Sequence, residues 1–358
     1  MSMQELSADT TPRSDLGLEW ALARISERAG DLDREPRFPA ENFADLAATG
    51  ALDAPSEELA GEIALVRAVA QADASTARIL DGHLNGIERL ALHAERHQLA
   101  QIAQQGLLLG VWGADPAAGE GPPARLERTS SGLVLRGVKT FCSGAGGVQR
   151  ALVIATDDEG AHRLAYLDTT SRVSVDRGWY RASGLRSSES HRVEFHDTPV
   201  LALLGDPGEL SREPYFSRDA IRTSATWAGL VDRIVWETSA ALDPQRADDL
   251  QAHGLGAMRV AAATIDRWLE HTADSLAAPR QRLRQISAPA LAVECRVALA
   301  QSARLICSLA SQACGSRALI GGGALDRARR DLDLFLLQHR LDPKITNLGR
   351  EALERQQQ

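Results

Sequence analysis

The chain of 358 residues is long enough to bury a sizeable core, and this length favours more than one domain. Its 40 basic and 48 acidic side chains give a formal net charge of -8, which argues against a nucleic-acid partner. The N-terminus lacks the basic and apolar regions of a secretory signal, and no apolar run approaches the roughly 18 residues of a membrane span. We therefore expect a soluble, cytoplasmic protein without a membrane partner.

The chain contains four cysteines, Cys142, Cys295, Cys307 and Cys314. None of them forms a Cys-x-x-Cys pair, so the sequence favours neither a disulfide framework nor a zinc site. His93 and His97 are four residues apart, but no third ligand is evident, and a solvated helix face is the expected setting. We expect reduced thiols and no bound metal.

The N-terminal third of the chain is predicted to be helical. From Ser14 onwards, apolar residues recur three and four positions apart, which is the spacing of one face of a helix. Pro36, Pro39 and Gly50 interrupt this pattern and mark the breaks between helices. We assign residues 1–105 to an N-terminal helical domain.

Short runs rich in Val, Leu and Ile follow, separated by glycine, proline and charged turns. Such runs are typical of strands in an antiparallel sheet or a small barrel. We assign residues 106–206 to a middle antiparallel β domain. The predicted strands are Leu107–Trp112, Leu133–Leu135, Ala151–Ala155, Arg163–Asp168, Val173–Val175 and His191–Phe195.

Helical periodicity resumes after the turn at Gly205–Gly208, and residues 207–358 are assigned to a C-terminal helical bundle. The order of helices, strands and helices predicts an α+β fold in which the β domain lies between two helical ones. The predicted helices are Ala220–Leu242, about 250–276, about 285–315 and, after a glycine break at 321–323, a last helix from about Leu325.

Six short segments carry motifs in a fixed order: Gly110–Pro116, Gly137–Gly144, Gly184–Ser188, Val193–Val200, Gln312–Gly315 and the pair Arg330-Asp331. Together they resemble the acyl-CoA dehydrogenase superfamily of flavoproteins. The first four are similar to segments of that family's β domain, and the last two to landmarks of its final helices. The resemblance covers about residues 15–350. It implies an acyl-CoA dehydrogenase-like fold and a homodimer or homotetramer.

The stretch from Leu133 to Ala155 is the most informative about a ligand. Two β-rich runs flank an aromatic residue, a hydroxyl group and three glycines, and glycine lets backbone approach a flat molecule closely. The resemblance implies that Ser143 offers its hydroxyl to the edge of a flavin ring and that Phe141 covers a ring face. A β-turn with a structural Phe and Ser is the alternative.

The same resemblance implies further cofactor contacts. Trp112 and Cys142 lie in the segments that border the flavin, and Gln312 and Gly315 are expected on its diphosphate side. The Arg-Phe-Gly stretch that serves the flavin pyrophosphate in the family is not apparent near residues 245–251. FMN therefore stays open beside FAD, the cofactor that the family implies.

The glutamate base of acyl-CoA dehydrogenases is absent from both of its usual places. Counting about nine residues from Arg330 leads to His339, and the residue before Arg222 is Ile221. Two-component flavin monooxygenases of the same fold often show an Arg-Asp pair, then a histidine, then a glycine near the C-terminus. This chain has that order, with Gly349 as the glycine, and so it resembles the monooxygenase branch.

His339 is the candidate catalytic residue. An imidazole with a pKa of about 6.5 can exchange a proton near neutrality or stabilise an oxygenated flavin by hydrogen bonding. Packing against the end of the preceding helix is the structural alternative. Arg222 is the candidate for binding an anionic group of the substrate, and a salt-bridge network with Asp219 and Arg218 is its alternative.

These observations predict a flavin-dependent oxidoreductase with monooxygenase-like chemistry on a small polar or carrier-bound metabolite. The resemblance implies a separate reductase as the source of reduced flavin. Two alternatives stay open. One is an acyl thioester dehydrogenase with a non-standard base, and the other is a catalytically degenerate assembly subunit.

Overall fold

Helices precede and follow a set of strands along the chain. The computed structural model describes residues 17–52, 59–130, 132–277, 287–338 and 340–355. The predicted mixture of helix and strand is confirmed. Among the described residues, no helix is both long enough and apolar enough to cross a lipid bilayer.

The N-terminal helices are α1 (Leu18–Arg34), α2 (Ala40–Ala48), α3 (Leu59–Ala72), α4 (Ala74–His93) and α5 (Arg96–Gln105). The predicted breaks agree with these bounds, because α1 ends before Pro36 and α2 begins after Pro39. α4 begins where the Asp73 carboxylate accepts a hydrogen bond from the Thr76 amide at 2.8 Å, which is an N-cap. α5 ends at Gly106, whose φ of 59° favours glycine.

The strands that follow are β1 (Leu109–Trp112), β2 (Arg125–Thr129), β3 (Gly132–Cys142), β4 (Arg150–Thr156), β5 (His162–Asp168), β6 (Val173–Asp176) and β7 (His191–Leu204). All but β2 match the predicted runs, although β3 and β7 are longer than predicted. β2 escapes prediction because its sequence is polar. Leu126 is its one buried residue, so the strand lacks the apolar alternation that identifies the others.

Five of the strands close into a barrel. The ring runs from β4 through β2, β3, β7 and β5 back to β4, while β1 pairs with β4 and β6 pairs with β7. The prediction of an antiparallel β domain holds for the pairing of β4 with β5. It is wrong for the other two neighbours of β4, which runs parallel to β1 and, through the pair Arg125 and Thr156, to β2. The β2–β3 hairpin precedes β4 in the chain and returns it to the direction of β1, which explains the parallel pairs.

The C-terminal helices are α6 (Tyr215–Ala241), α7 (Asp249–Ala277), α8 (Ala288–Cys314), α9 (Ala324–Leu337) and α10 (Asp342–Arg355). The first three lie within a few residues of their predicted bounds. The single helix predicted from about Leu325 is instead divided into α9 and α10. Pro343 lies in the first turn of α10, where proline is tolerated, whereas in a helix interior it would remove a hydrogen bond and clash.

One hydrophobic core joins the helices to the barrel. It extends from Ile25 in α1 through Trp112 in β1 and Phe195 in β7 to Trp227 in α6 and Phe335 in α9. A smaller cluster fills the space between α4, α5 and the barrel strands β4 and β5. Because the larger core is shared, α9 is held firmly against the barrel, and the candidate site lies along this contact.

Candidate functional site

The end of β3 has an unusual backbone conformation. Phe141 has a φ of 50°, in the left-handed region that aromatic residues rarely adopt. Its side chain is 52% exposed, whereas the neighbouring Cys142 is fully buried. The pairing of β3 with β7 changes register between Lys139 and Cys142, so the strand is irregular at this point. Backbone strain of this kind is typical of ligand sites.

The exposed ring of Phe141 forms one wall of a cavity of about 400 Å³, which we call the aromatic cavity. Trp179 packs edge-to-face on Phe141 with ring centroids 4.9 Å apart, and its Nε1 donates to Glu120 Oε1 at 3.0 Å. Aromatic and apolar walls of this size suit a flat ligand. The lining consists of Phe141, residues 179–182, Leu334, Leu337 and Gln338.

Ser143 is buried and belongs to a row of three hydroxyl groups. Its Oγ lies 2.9 Å from Oγ of Ser190, which in turn lies 2.8 Å from Oγ of Ser188. Burial raises the pKa of the Tyr180 phenol, and hydrogen bonds with Ser188 and Ser190 partly offset this rise. The row therefore links Ser143, the predicted partner of the flavin edge, to Tyr180 in the wall of the aromatic cavity.

Trp112 and Cys142 support the bend from its core side. The Trp112 indole is buried over Gly110, and its Nε1 donates to the Ser143 carbonyl oxygen at 3.0 Å. The Cys142 thiol is also buried, and this burial raises its pKa well above the ordinary value. Among the four residues predicted around the flavin ring, Phe141 is the one whose side chain lines the aromatic cavity.

The glycines after Ser143 make room for side chains of this chain. A Cβ at Gly146 would contact the guanidinium of Arg177, and a Cβ at Gly147 would overlap the ring of Phe38. Phe38 and Arg177 thus occupy the space beside these glycines that the sequence predicts for a flat ligand. At this bend it is the Phe141 ring that stays exposed and accessible to a ligand.

Two of the predicted motifs meet where α9 packs on the barrel. The Leu185 amide donates to Asp331 Oδ1 at 2.6 Å, and the Arg330 guanidinium donates to the Ser183 carbonyl oxygen at 2.5 Å. The α9 backbone passes so close to Gly184 that a Cβ there would overlap the Arg330 carbonyl group. This contact fixes the C-terminal end of α9 beside the aromatic cavity.

Asp331 is a buried carboxyl group within that contact. Burial raises its pKa from 3.8 to about 7, although the hydrogen bond from Leu185 acts in the opposite direction. Two other carboxylates, Asp73 and Asp33, add to the rise. The barrel–α9 contact therefore contains a group that titrates near neutral pH.

Arg222 lies fully buried at the centre of an ion network between α3, α4 and α6. Its guanidinium nitrogens lie 2.6 Å from Glu62, 2.9 Å from Glu88 and 3.1 Å from Asp219. Burial alone would lower the pKa of Arg222, but these carboxylates raise it above the ordinary value. The geometry corresponds to the salt-bridge alternative, although the network is buried between helices. An anionic substrate would have to compete with three carboxylates.

Gln312 and Gly315 lie at the exposed end of α8. Gln312 Nε2 donates to Ser308 Oγ at 3.2 Å, and Gly315 follows the helix with a φ of 65°. Neither Gln312 nor Gly315 is among the described residues that line the aromatic cavity. Within this one chain they are not brought together with Phe141.

His339 lies outside the described residues. Leu337 and Gln338, directly before it, line the aromatic cavity. Ile221, at the other usual position of the base, is fully buried in the core. No described residue in the lining of the aromatic cavity carries a carboxylate.

Trp179 and Tyr180 are functional candidates that the sequence analysis does not single out. A weak signal exists, because aromatic residues make up 4% of the chain and these two are adjacent after Gly178. Their separation from Phe141 in the sequence conceals the contact, which forms only when the barrel closes.

No protein-family model matches the chain, but solved structures of known proteins share its fold. Dibenzothiophene monooxygenase from Rhodococcus erythropolis is 30% identical over a stretch that covers 38% of this chain, and the chain spans 36% of that relative. FMN-bound TdsC from Paenibacillus sp. A11-2 superposes with a TM-score of 0.82 at 18% identity, covering 94% of this chain and 96% of TdsC.

A second solved structure agrees with the first. Methanesulfinate monooxygenase MsuC from Pseudomonas fluorescens has a TM-score of 0.80 at 21% identity, covering 94% of this chain and 95% of MsuC. The chain has the fold of these flavin monooxygenases. The predicted resemblance to flavin monooxygenases agrees with this likeness in fold.

Proposed function

We propose that the chain is the oxygenase component of a two-component flavin monooxygenase. The observation that carries the proposal is the aromatic cavity at Phe141, in a chain that shares its fold with FMN-bound TdsC. An acyl-CoA dehydrogenase needs a carboxylate base beside its substrate. The absence of a carboxylate from the described lining of the cavity supports the oxygenase over the dehydrogenase.

The walls of the aromatic cavity fit a flavin ring. Phe141 and Trp179 offer aromatic surfaces, and Leu334 and Leu337 offer apolar cover from α9. FMN in TdsC supports reduced FMN as the cofactor, with FAD, which the family resemblance implies, as the alternative. When bound, reduced flavin supplies the electrons that activate oxygen.

We assign separate roles to the residues of the bend. Phe141 covers a ring face, and Ser143 holds the ring edge with a hydroxyl that it shares with Ser190. Trp112 fixes the Ser143 backbone through its indole N–H, and Cys142 anchors the bend in the core. Closing the cavity with Trp179 excludes water from the reacting atoms.

Gln312 and Gly315 are proposed to serve the phosphate side of a flavin in a neighbouring subunit. Their exposed position at the end of α8, remote from Phe141 within the chain, supports an arrangement of this kind in a homodimer or homotetramer. A separate flavin reductase is proposed as the second component.

The chain is proposed to lie in the cytoplasm and to consist of three domains. The four cysteines are free thiols, which supports a cytoplasmic location. The proposed domain boundaries are 1–105, 106–206 and 207–358. The ends of α5 and β7, and the start of α6, support these boundaries.

His339 is proposed as the acid–base residue, because the two residues before it line the aromatic cavity. Its imidazole would accept a proton from the substrate or hold a proton near the flavin edge. We expect His339→Ala to accelerate the reoxidation of bound reduced FMN by oxygen at least about tenfold. The reason is that the variant lacks the imidazole N–H that would slow this reoxidation by hydrogen bonding near the flavin edge. His339→Gln keeps the size and one hydrogen bond but exchanges no proton, and is the matched variant.

Stopped-flow absorbance at the flavin bands measures this reoxidation. An equal rate in wild type and both variants would remove His339 from the mechanism. Fluorescence titration with FMN checks that the variants still bind the flavin.

The function itself is tested by flavin binding. Purified protein is titrated with FMN, FAD and riboflavin, and quenching of the flavin fluorescence is followed. We expect saturable binding of FMN. If none of the three flavins binds, the proposal is overturned, and a catalytically degenerate assembly subunit is the alternative that remains. Anaerobic bleaching of bound oxidised flavin by an acyl-CoA panel would instead identify a dehydrogenase.

A further inference from the structure

A second cavity adjoins the aromatic cavity and is lined by arginines. Its volume is about 590 Å³, and we call it the arginine cavity. Residues 180–182 line both cavities, so the two are neighbours across one short segment. Its charge comes from the side chains of Arg177, Arg181, Arg186 and Arg330.

Two of these arginines use backbone carbonyls as partners. Arg181 Nε donates to the Gly178 carbonyl oxygen at 3.0 Å, and Arg186 Nη1 donates to the Asp33 carbonyl oxygen at 2.5 Å. In the described part of the chain, neither guanidinium forms an ion pair with a carboxylate. A guanidinium has five N–H donors, so most of the donors on these two groups are left for a ligand.

The other two arginines are held in place by carboxylates behind the cavity wall. Arg330 Nη2 lies 2.6 Å from Asp33 Oδ2, and its Nε lies 2.9 Å from Asp326 Oδ2. Arg177 Nη1 lies 2.7 Å from Glu189 Oε2. The carboxylates of Asp33 and Glu189 are largely buried. Among the described residues that line the arginine cavity, no side chain carries a carboxylate. The unbalanced positive charge of the wall therefore comes from Arg181 and Arg186, and this charge favours an anion.

We propose that the arginine cavity binds a phosphate or diphosphate group of the substrate, while the part to be oxidised lies in the aromatic cavity. The second half of this statement rests on the proposed function, but the first half does not. Guanidinium forks match phosphate oxygens in bidentate geometry, and two of them without a carboxylate partner at one cavity suit a group with more than one charge. The shared segment at residues 180–182 places the anion beside the flavin ring.

Binding of model phosphates tests the proposal directly. Calorimetric titrations use phenyl phosphate, inorganic pyrophosphate and, as the uncharged partner, phenol, at constant ionic strength. We expect phenyl phosphate to bind more tightly than phenol. Arg181→Glu should weaken phosphate binding at least about tenfold and Arg181→Gln by a smaller factor, because Arg181 lines both cavities.

Arg259→Gln is the matched control for Arg181→Gln, and Arg259→Glu is the matched control for Arg181→Glu. Arg259 is an exposed arginine on α7 and lines neither cavity. The controls separate the local effect of Arg181 from the change in net charge. We expect both Arg259 variants to bind phenyl phosphate like wild type. Equal affinity in wild type and Arg181→Glu, or no binding of either phosphate, would overturn the proposal.

Competition distinguishes the substrate's phosphate from that of the flavin. Pyrophosphate that displaces FMN but not riboflavin would identify the arginine cavity as part of the flavin site, and the proposal would fail. Normal FMN binding without phosphate binding would overturn this inference and leave the proposed function intact. Phosphate binding without binding of any flavin would overturn the proposed function and leave the phosphate site intact.

Discussion

Two groups of arginines in this molecule differ in what surrounds them. Arg222 is fully buried and contacts three carboxylates, Glu62, Glu88 and Asp219. Arg181 and Arg186 line an open cavity and donate to backbone carbonyls. The first group has its charge balanced by the protein, and the second leaves it available. An arginine becomes a candidate for anion binding through its partners, which the residue type alone does not reveal.

This comparison predicts that changes at the closed network reduce stability, whereas changes at the open wall reduce binding. The largest effect is expected at Arg222. In Arg222→Met, the Glu62 carboxylate stays buried without its cation, while Glu88 keeps Arg218, so the free energy of unfolding should fall by about 3–5 kcal/mol. Urea denaturation followed by circular dichroism measures the loss.

Arg181→Gln is the counterpart of Arg222→Met at the open wall. Arg181 is exposed and has no ion pair in the described chain, so its free energy of unfolding should stay within about 0.5 kcal/mol of wild type. Similar stability losses in the two variants would contradict the distinction between the closed and open arginines.

A smaller effect, dependent on pH, is expected at Asp331. Its folded-state pKa of about 7 lies above the ordinary 3.8, so the folded protein keeps a proton that the unfolded chain releases. This contribution to stability is present at low pH and is lost as pH rises towards 7, by at most about 1.4 kcal/mol per pH unit. Asp331→Asn still accepts from the Leu185 amide but does not titrate.

The Tm of wild type and Asp331→Asn at pH 5, 6, 7 and 8 measures this contribution. Relative to Asp331→Asn, wild type should lose stability from pH 5 to 7 and change little above 7. A difference in Tm that is constant across the series would show that Asp331 does not titrate in this range.

The smallest effect is expected at Phe141 and concerns binding. In Phe141→Ala the flavin loses one aromatic wall, worth about 0.5–1.5 kcal/mol, so the Kd for FMN should rise roughly threefold to tenfold. Phe216→Ala removes another exposed phenyl ring, on α6 and outside the cavity, and should leave the Kd unchanged. Equal Kd values in wild type and Phe141→Ala would place the flavin elsewhere.

Much of the fold was accessible from local patterns. The apolar periodicities of helices and strands lie within single elements, and the prolines at 36 and 39 mark real helix ends. β2 was not accessible, because its polar and mostly exposed sequence lacks apolar alternation. The parallel pairing of β4 was not accessible either, since it depends on the path of the β2–β3 hairpin.

The site was predictable where one segment builds it. Phe141 lines a cavity as its motif suggests, and the Gly184 turn meets Arg330-Asp331. The charge balance of Arg222 was hidden because Glu62 and Glu88 are far away in the sequence. The same reason concealed Trp179 and Tyr180, whose relation to Phe141 appears only in the folded barrel.

The segment shared by the two cavities has a consequence for the choice of substrate. Residues 180–182 form one partition, with the arginine wall on one side and the aromatic wall on the other. Consecutive Cα atoms are about 3.8 Å apart, so this partition is at most about 8 Å long. A molecule that reaches both cavities has to pass this partition, so its anion and its oxidised atom cannot belong to neighbouring groups. Selection by length would thus depend on three residues that also line both cavities, so a substitution there would change the spacing and the lining together.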